Sequence, residues 1–230
     1  MIDKGCYYLL NVSQGSPDWH FLRKGRICSS SLGKIMKQVS YCSDSPEEIA
    51  LELTGKKKPN FTSEAIKRMQ AGTDHEPIIR NYLKKNLKCK IEEYGIGILK
   101  SDTRFSASPD GIIKRPGKPD IGLEIKCPAK MYRPLLRYMD KPEDEREEGN
   151  YDHIWRGHWL QMQQAMKIFG LEDCLYAVYS IEDEEIFIQI VTMDHKYWDE
   201  VIYPTATAYW DRYMKPHLTP IDQGRISMAK

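Results

Sequence analysis

Residues 105–130 read "FSASPDGIIKRPGKPDIGLEIKCPAK", which sets two acids and a lysine in strand-like sequence. Side chains alternate along an extended strand, so Glu124 and Lys126 face one side while Leu123, Ile125 and Cys127 face the other. Asp110 follows Pro109 at a break, "SPDG", where a loosened strand end can aim a carboxylate at its neighbour. Gathered in one pocket, two carboxylates repel each other unless a cation neutralises them. Oxygen ligands with no histidine or cysteine among them select Mg²⁺ or Mn²⁺ over zinc. The competing reading is a surface Glu124–Lys126 salt bridge with Asp110 as an ordinary turn residue. On these three residues alone the salt bridge is favoured, because such short patterns recur by chance.

The elements that must position them run in the order helices, three strands, a helix, two strands and a helix. Ser16 caps a helix over 16–24 with Pro17 at its first position. A second helix follows "CSSSLGKIM", with one of the serines as cap. In "SPEEIALELTG", Ser45 and Glu48 form a capping box and Gly55 ends the helix. A long helix spans about Thr62 to Asn86, interrupted or bent near Gly72 and Pro77. "CKIEEYGIGILK", "RFSASPDGIIK" and "IGLEIKCP" read as three strands, the last two joined by the turn "RPGKPD". A helix around "MYRPLLRYM" precedes an acidic surface loop at 140–150. The next helix carries Trp155, Trp159, Met162 and Met166 as a core stripe. "CLYAVYS" and "EIFIQIVTM" pair around "IEDE", and a final helix starts near Asp194.

A chain of 230 residues, 41% hydrophobic and 29% charged, suits one domain over 1–230 with its own core, and no linker divides it. With 34 basic against 33 acidic residues, a nucleic-acid partner cannot be read from net charge, and any basic surface is local. The six cysteines, Cys6, Cys28, Cys42, Cys89, Cys127 and Cys174, form no CxxC pair. That argues against a zinc knuckle, an iron–sulfur cluster or a disulfide framework and fits a reducing, cytoplasmic or intracellular setting. No signal-like or membrane-length apolar run is present, so no membrane partner is expected. "SLGK" at 31–34 lacks the companion motifs of penicillin-binding proteins, and "GKKK" lacks the rest of a phosphate loop. His75 reads as a surface residue, and His153 and His158 as helix-surface or packing residues.

Four blocks, in order, resemble the bacteriophage lambda exonuclease and YqaJ-type viral recombinase family of PD-(D/E)XK nucleases. They are "GSPDWHFLRKGRICSSSLGKIM", "MQAGTDHEPIIRNYL", the pair "SASPDGII" and "GLEIKCP", and "HWLQMQQAM". The resemblance implies an α/β (α+β) fold, a restriction-endonuclease-like core with a central mixed sheet flanked by helices and a helical N-terminal part. It implies that Asp110, Glu124, Glu76 and the Ile125 carbonyl hold two Mg²⁺ ions, replaceable by Mn²⁺, and that Lys126 orients or activates the attacking water. Arg23, Ser30, Ser108 and Gln161 match positions that hold a 5′-phosphate of DNA. The implied activity is 5′ to 3′ digestion of duplex DNA ends by a homotrimer, leaving a 3′ single strand for an annealing protein. A structure-specific or restriction-like endonuclease and a degenerate DNA-end-binding module are the alternatives. The segment "YMDKPEDEREEGNYDHIW" is longer and more acidic than the resemblance leads one to expect, and Lys56, Lys57 and Lys58 fall where the family contacts DNA.

Overall fold

The computed structural model describes residues 1–39, 43–146, 149 and 151–227. Cys42 and part of the acidic loop, Glu147, Glu148 and Asn150, lie outside the described residues.

Among the described residues, ten strands form two five-stranded sheets. In chain order they are β1 (Ile2–Asp3), β2 (Tyr7–Leu10), β3 (Ile27–Cys28), β4 (Lys90–Glu92), β5 (Ile96–Leu99), β6 (Phe105–Ala107), β7 (Gly111–Lys114), β8 (Ile121–Lys126), β9 (Asp173–Tyr179) and β10 (Ile186–Thr192). One sheet runs β1-β2-β5-β6-β3 and the other β10-β9-β8-β7-β4. Both are mixed: β3–β6 and β8–β9 are parallel, and the other pairs are antiparallel.

Two of the three expected central strands are each broken in two and shared between the sheets. "CKIEEYGIGILK" becomes β4 and β5 because the chain crosses at Gly95. A Cβ there would lie 2.1 Å from the Leu10 carbonyl oxygen, so only glycine passes. "RFSASPDGIIK" becomes β6 and β7, separated at Ser108-Pro109, where proline has no N–H to continue a ladder. Asp110 therefore stands where the chain steps from one sheet to the other. The short strands β1, β2 and β3 were not anticipated.

The helices are α1 (Pro17–Arg23), α2 (Leu32–Ile35), α3 (Pro46–Leu53), α4 (Ser63–Asn86), α5 (Arg133–Met139), α6 (Arg156–Phe169), α7 (His195–Tyr197), α8 (Tyr203–Tyr209) and α9 (Pro220–Ser227). Ser16 caps α1 by accepting from the Trp19 N–H, and Ser45 and Glu48 form the reciprocal box of α3. The serine run differs from expectation: Ser29–Ser31 make a 3₁₀ turn, and Ser31 gives α2 no side-chain cap. Helix α4 runs unbroken through Gly72 and Pro77, held to the sheet by buried Ile79 and Leu83. Trp155 also departs from the expected stripe. It precedes α6 and is 42% exposed, while Trp159, Met162 and Met166 are buried.

After α7 the helical run continues through π-helical turns at Trp198–Ile202 and Trp210–Met214 on either side of α8. Trp198, Ile202, Ala206, Trp210 and Met214 recur every fourth residue, and all are buried. A pure α-helix would carry that spacing off the core, and the wider turns restore the phase. Helix α4 and the Leu123–Ile125 side of β8 share one apolar cluster, while α6 packs in the other with Ile27, Phe105, Tyr176 and Val178. The sheet bearing β8 is thus covered on both faces, which forces its charged residues into a confined space.

Candidate active site

Asp110 is 8% exposed and held at three atoms. Its N–H donates to the Leu123 carbonyl at 3.1 Å, its carboxylate Oδ2 accepts from the Ile125 N–H at 2.6 Å, and its carbonyl accepts from Arg80 Nε at 2.8 Å. Glu124, on β8 beside it, is 2% exposed. Lys126 Nζ lies 2.6 Å from Glu124 Oε1 and forms an ion pair with it. The same ammonium donates to Gln161 Oε1 on α6 at 3.2 Å. A quarter of the Lys126 side chain stays open to solvent. Glu76 reaches this group from α4 and forms an ion pair with Arg80, one helical turn away, while Arg80 also pairs with Glu93 at 2.8 Å.

The electrostatics are those of acids crowded together. Burial pushes Glu124 up to about 8; the Lys126 charge opposes this and Asp110 adds to it. Burial, then the Asp110 charge, pushes Glu76 up to about 7 against the pull of Arg80. Asp110 is also raised by burial, despite Lys126, the Ile125 N–H and Arg80. Burial works against the Lys126 ammonium, but Glu124 and Asp110 outweigh it and raise its pKa. Lys126 is thus kept charged.

Among the described residues, no three His, Cys, Asp or Glu side chains converge closely enough to hold an ion as they stand. The donor chemistry nevertheless fits a hard divalent cation: Asp110 and Glu124 supply buried carboxylates whose two charges the Lys126 ammonium alone does not offset.

A pH dependence follows. Carboxyls raised on folding favour the protonated native state, so their contribution is present below about pH 4.5 and is lost as pH climbs through 7 and 8. A cation in the site replaces the missing protons. We expect Mg²⁺ to raise the melting temperature more at about pH 9 than at about pH 6. An equal shift at both, measured by thermal denaturation, contradicts the acid cluster as the binding site.

The second constellation assembles around Trp19. Arg23 Nη2 donates to Ser30 Oγ at 2.6 Å, and its guanidinium lies 3.7 Å over the Trp19 ring. The indole N–H of Trp19 donates to Ser108 Oγ at 3.0 Å. Arg23, Ser30 and Ser108 are therefore brought together two residues upstream of Asp110, whereas Gln161 contacts Lys126 instead. Arg80 and Trp19 were the residues sequence reasoning missed. Glu76 and Arg80 at helical spacing were the available signal for the first; Trp19 stood in a quoted block without a role. The histidines pack: His153 stacks on Tyr138 at 3.5 Å and contacts Gln189, and His158 Nδ1 contacts the Tyr176 hydroxyl at 2.7 Å. Open space flanks the acids on both sides. A cavity of about 460 Å³ is lined by Arg80, Glu93, Pro109 and Asp110, and one of about 600 Å³ by Lys126, Cys127, Tyr132 and His158. A larger cavity, about 770 Å³ around Arg156 and Tyr197, contains none of these acids.

The fold is that of the PD-(D/E)XK nucleases, with Pro109-Asp110 at the break just before β7 and Glu124-Ile125-Lys126 on the adjacent strand β8. Residues 18–172 match the YqaJ-like viral recombinase domain, and the chain belongs to that family. Solved structures share the fold. The alkaline exonuclease LHK-Exo from Laribacter hongkongensis has a TM-score of 0.64 and 22% identity, covering 88% of this chain and 94% of that one. LHK-Exo in complex with dAMP matches with the same TM-score and coverage at 20% identity. A phage-related exonuclease from Haemophilus somnus 129PT has a TM-score of 0.55 and 15% identity over 86% of this chain and 99% of its own. No match was found among curated proteins. Among the described residues, no helix is long and apolar enough to cross a membrane.

Proposed function

We propose that the protein is a Mg²⁺-dependent exonuclease that digests one strand of a duplex DNA end, 5′ to 3′, and leaves a 3′ single strand for an annealing protein in recombination. The observation that carries the chemistry is the Glu124 carboxylate buried beside Asp110, with the Lys126 ammonium 2.6 Å from its Oε1. Asp110, Glu124, the Ile125 carbonyl and Glu76 would hold Mg²⁺, or Mn²⁺ in its place, as one or two ions, which would acidify a water and offset charge on phosphorus. Lys126, with its ammonium beside the acids, orients or activates the attacking water. Gln161 fixes the ammonium from α6. Arg23, Ser30 and Ser108 offer a cation and two hydroxyls suited to a terminal 5′-phosphate.

Polarity is tested with duplexes labelled at the 5′ or the 3′ end of one strand. Early release of the 5′ label as mononucleotide is expected, and early release of the 3′ label overturns the direction.

Arg23→Ala should slow digestion of 5′-phosphorylated duplex by about tenfold to a hundredfold, the worth of a charge-assisted hydrogen bond, and affect 5′-hydroxyl ends far less. Initial rates on two duplexes differing only in that phosphate decide it. Equal slowing on both removes the phosphate role.

Family membership further supports a homotrimer. The aromatic-rich C-terminal region, expected to leave surface for assembly, instead fills the chain's own core. A solution mass of three chains is expected; a monomer at micromolar concentration removes the ring.

A further inference from the structure

Arg26 is 2% exposed and, among the described residues, forms no ion pair with an acid. Its guanidinium is aimed entirely at backbone carbonyls. Nε donates to Leu22 at 3.1 Å, Nη1 to Thr103 and to Ile226 at 3.2 Å, and Nη2 to Arg225 at 3.1 Å. One side chain thus ties three segments distant in sequence: the end of α1, the turn before β6, and the last turn of α9. Burying a guanidinium without a counter-charge is unfavourable, and burial lowers its pKa to about 10. The carbonyls at the end of α9 are suited to receive it, being the negative end of the helix.

Helix α9 answers from its own side. Arg225 donates to the Leu22 carbonyl at 3.3 Å and to the Lys24 carbonyl at 2.6 Å. Leu218 and Ile226 lie where a Cβ on Gly25 would stand, at 2.8 and 3.0 Å, and Trp210 donates to the Gly25 carbonyl at 2.8 Å. The segment 22–26 is therefore held in large part by the C-terminal part of the chain, beside the Gly25 N–H bond to the Leu53 carbonyl at 2.9 Å and the Arg26 bond to Thr103. That segment contains Arg23, and it leads through β3 to Ser30. The Arg26 N–H also bonds the Arg23 carbonyl at 3.0 Å.

We propose that Arg26 is a positioning residue for end recognition: with α9 it locks the backbone that aims Arg23 at Ser30, so the C-terminal helix sets the selectivity for 5′-phosphorylated ends. This rests on the reading of Arg23, Ser30 and Ser108 as the 5′-phosphate site. The bonds of Arg26 and Arg225 described above all run to backbone outside the acid cluster, so the hydrolytic step itself is independent of them.

The test uses the full chain carrying Arg26→Lys and, from the other side of the contact, Arg225→Gln, which removes the bonds to Leu22 and Lys24 together with the Asp222 ion pair and keeps the Arg225 carbonyl that accepts from Arg26. kcat/KM is measured on 5′-phosphate and 5′-hydroxyl duplexes, with the melting temperature and its Mg²⁺ shift alongside. The preference for the phosphate should fall about tenfold in a folded variant, the size of loss that a misplacement of under an ångström produces. The rate on 5′-hydroxyl ends and the Mg²⁺ shift should stay as in wild type. Combining Arg26→Lys with Arg23→Ala should cost no more than Arg23→Ala alone, because both remove one interaction. A merely structural role lowers the melting temperature and leaves the preference intact in both variants, which overturns the inference. If Arg23→Ala itself leaves the preference intact, the phosphate site and this inference fall together. If Arg23→Ala abolishes it but neither Arg26→Lys nor Arg225→Gln reduces it, only the inference falls.

Discussion

Glu124→Gln and Asp110→Asn should each lower strand cleavage by at least about a thousandfold while the chain stays folded. Both replacements keep the shape, and in Asp110→Asn the amide oxygen can still accept from the Ile125 N–H that now bonds the carboxylate at 2.6 Å. What they remove is charge at the place where two buried carboxylates meet across neighbouring strands. Glu124, pushed up to about 8 by burial, resists ionisation in the metal-free chain. Its amide should therefore be at least as stable as the acid at about pH 9 in chelator. Adding Mg²⁺ should then raise the melting temperature of wild type but not of Glu124→Gln. Near-native cleavage by either variant, or an undiminished Mg²⁺ shift in both, places the metal elsewhere. Strong dependence on zinc, or activity that survives a chelator, does the same.

Lys126→Ala separates the water from the metal. The ammonium sits 2.6 Å from Glu124 and 3.2 Å from Gln161, so its loss leaves a buried acid without its nearest cation. Divalent-ion binding, read by the thermal shift, should be retained or strengthened. Cleavage should still fall by about a hundredfold to ten-thousandfold, the range for loss of a positioned proton-handling group. A variant that cuts at a near-native rate and binds Mg²⁺ normally makes Lys126 a simple counter-charge to Glu124, the surface salt bridge that the three residues alone first suggested.

The local chemistry of the site was written in consecutive residues, and that is why it was legible. Alternation along β8 put Glu124 and Lys126 on one side and Leu123 and Ile125 in the other apolar cluster, and "SPDG" marked the break that frees Asp110. Caps were equally local, and Ser16 and Ser45 bond as their positions dictate. What sequence reading lacked was the partition between sheets. Nothing in "CKIEEYGIGILK" shows that Gly95 must slip past Leu10, because the obstructing carbonyl lies more than eighty residues upstream. Arg80 and Arg26 were missed for a related reason. Both are buried arginines with acceptors on remote backbone, and although Glu76 lies at helical spacing from Arg80, the Asp110 carbonyl and the carbonyls of Arg225 and Ile226 leave no spacing to read. Trp155 was misplaced because a step of four before Trp159 fits a helical stripe, yet the helix begins only after it.

The central claim is hydrolysis that begins at a duplex end, and one comparison tests it most directly. Equal amounts of a linear, 5′-phosphorylated duplex and the same sequence as a covalently closed circle are incubated with the protein and Mg²⁺, and acid-soluble nucleotide is followed over time. The linear molecule should be digested from both 5′ ends to mononucleotides and residual part-length single strands, and the circle should remain intact. Linearised or nicked circles contradict the account in favour of an endonuclease, and two untouched substrates, with the linear one bound, contradict it in favour of an inactive end-binding protein.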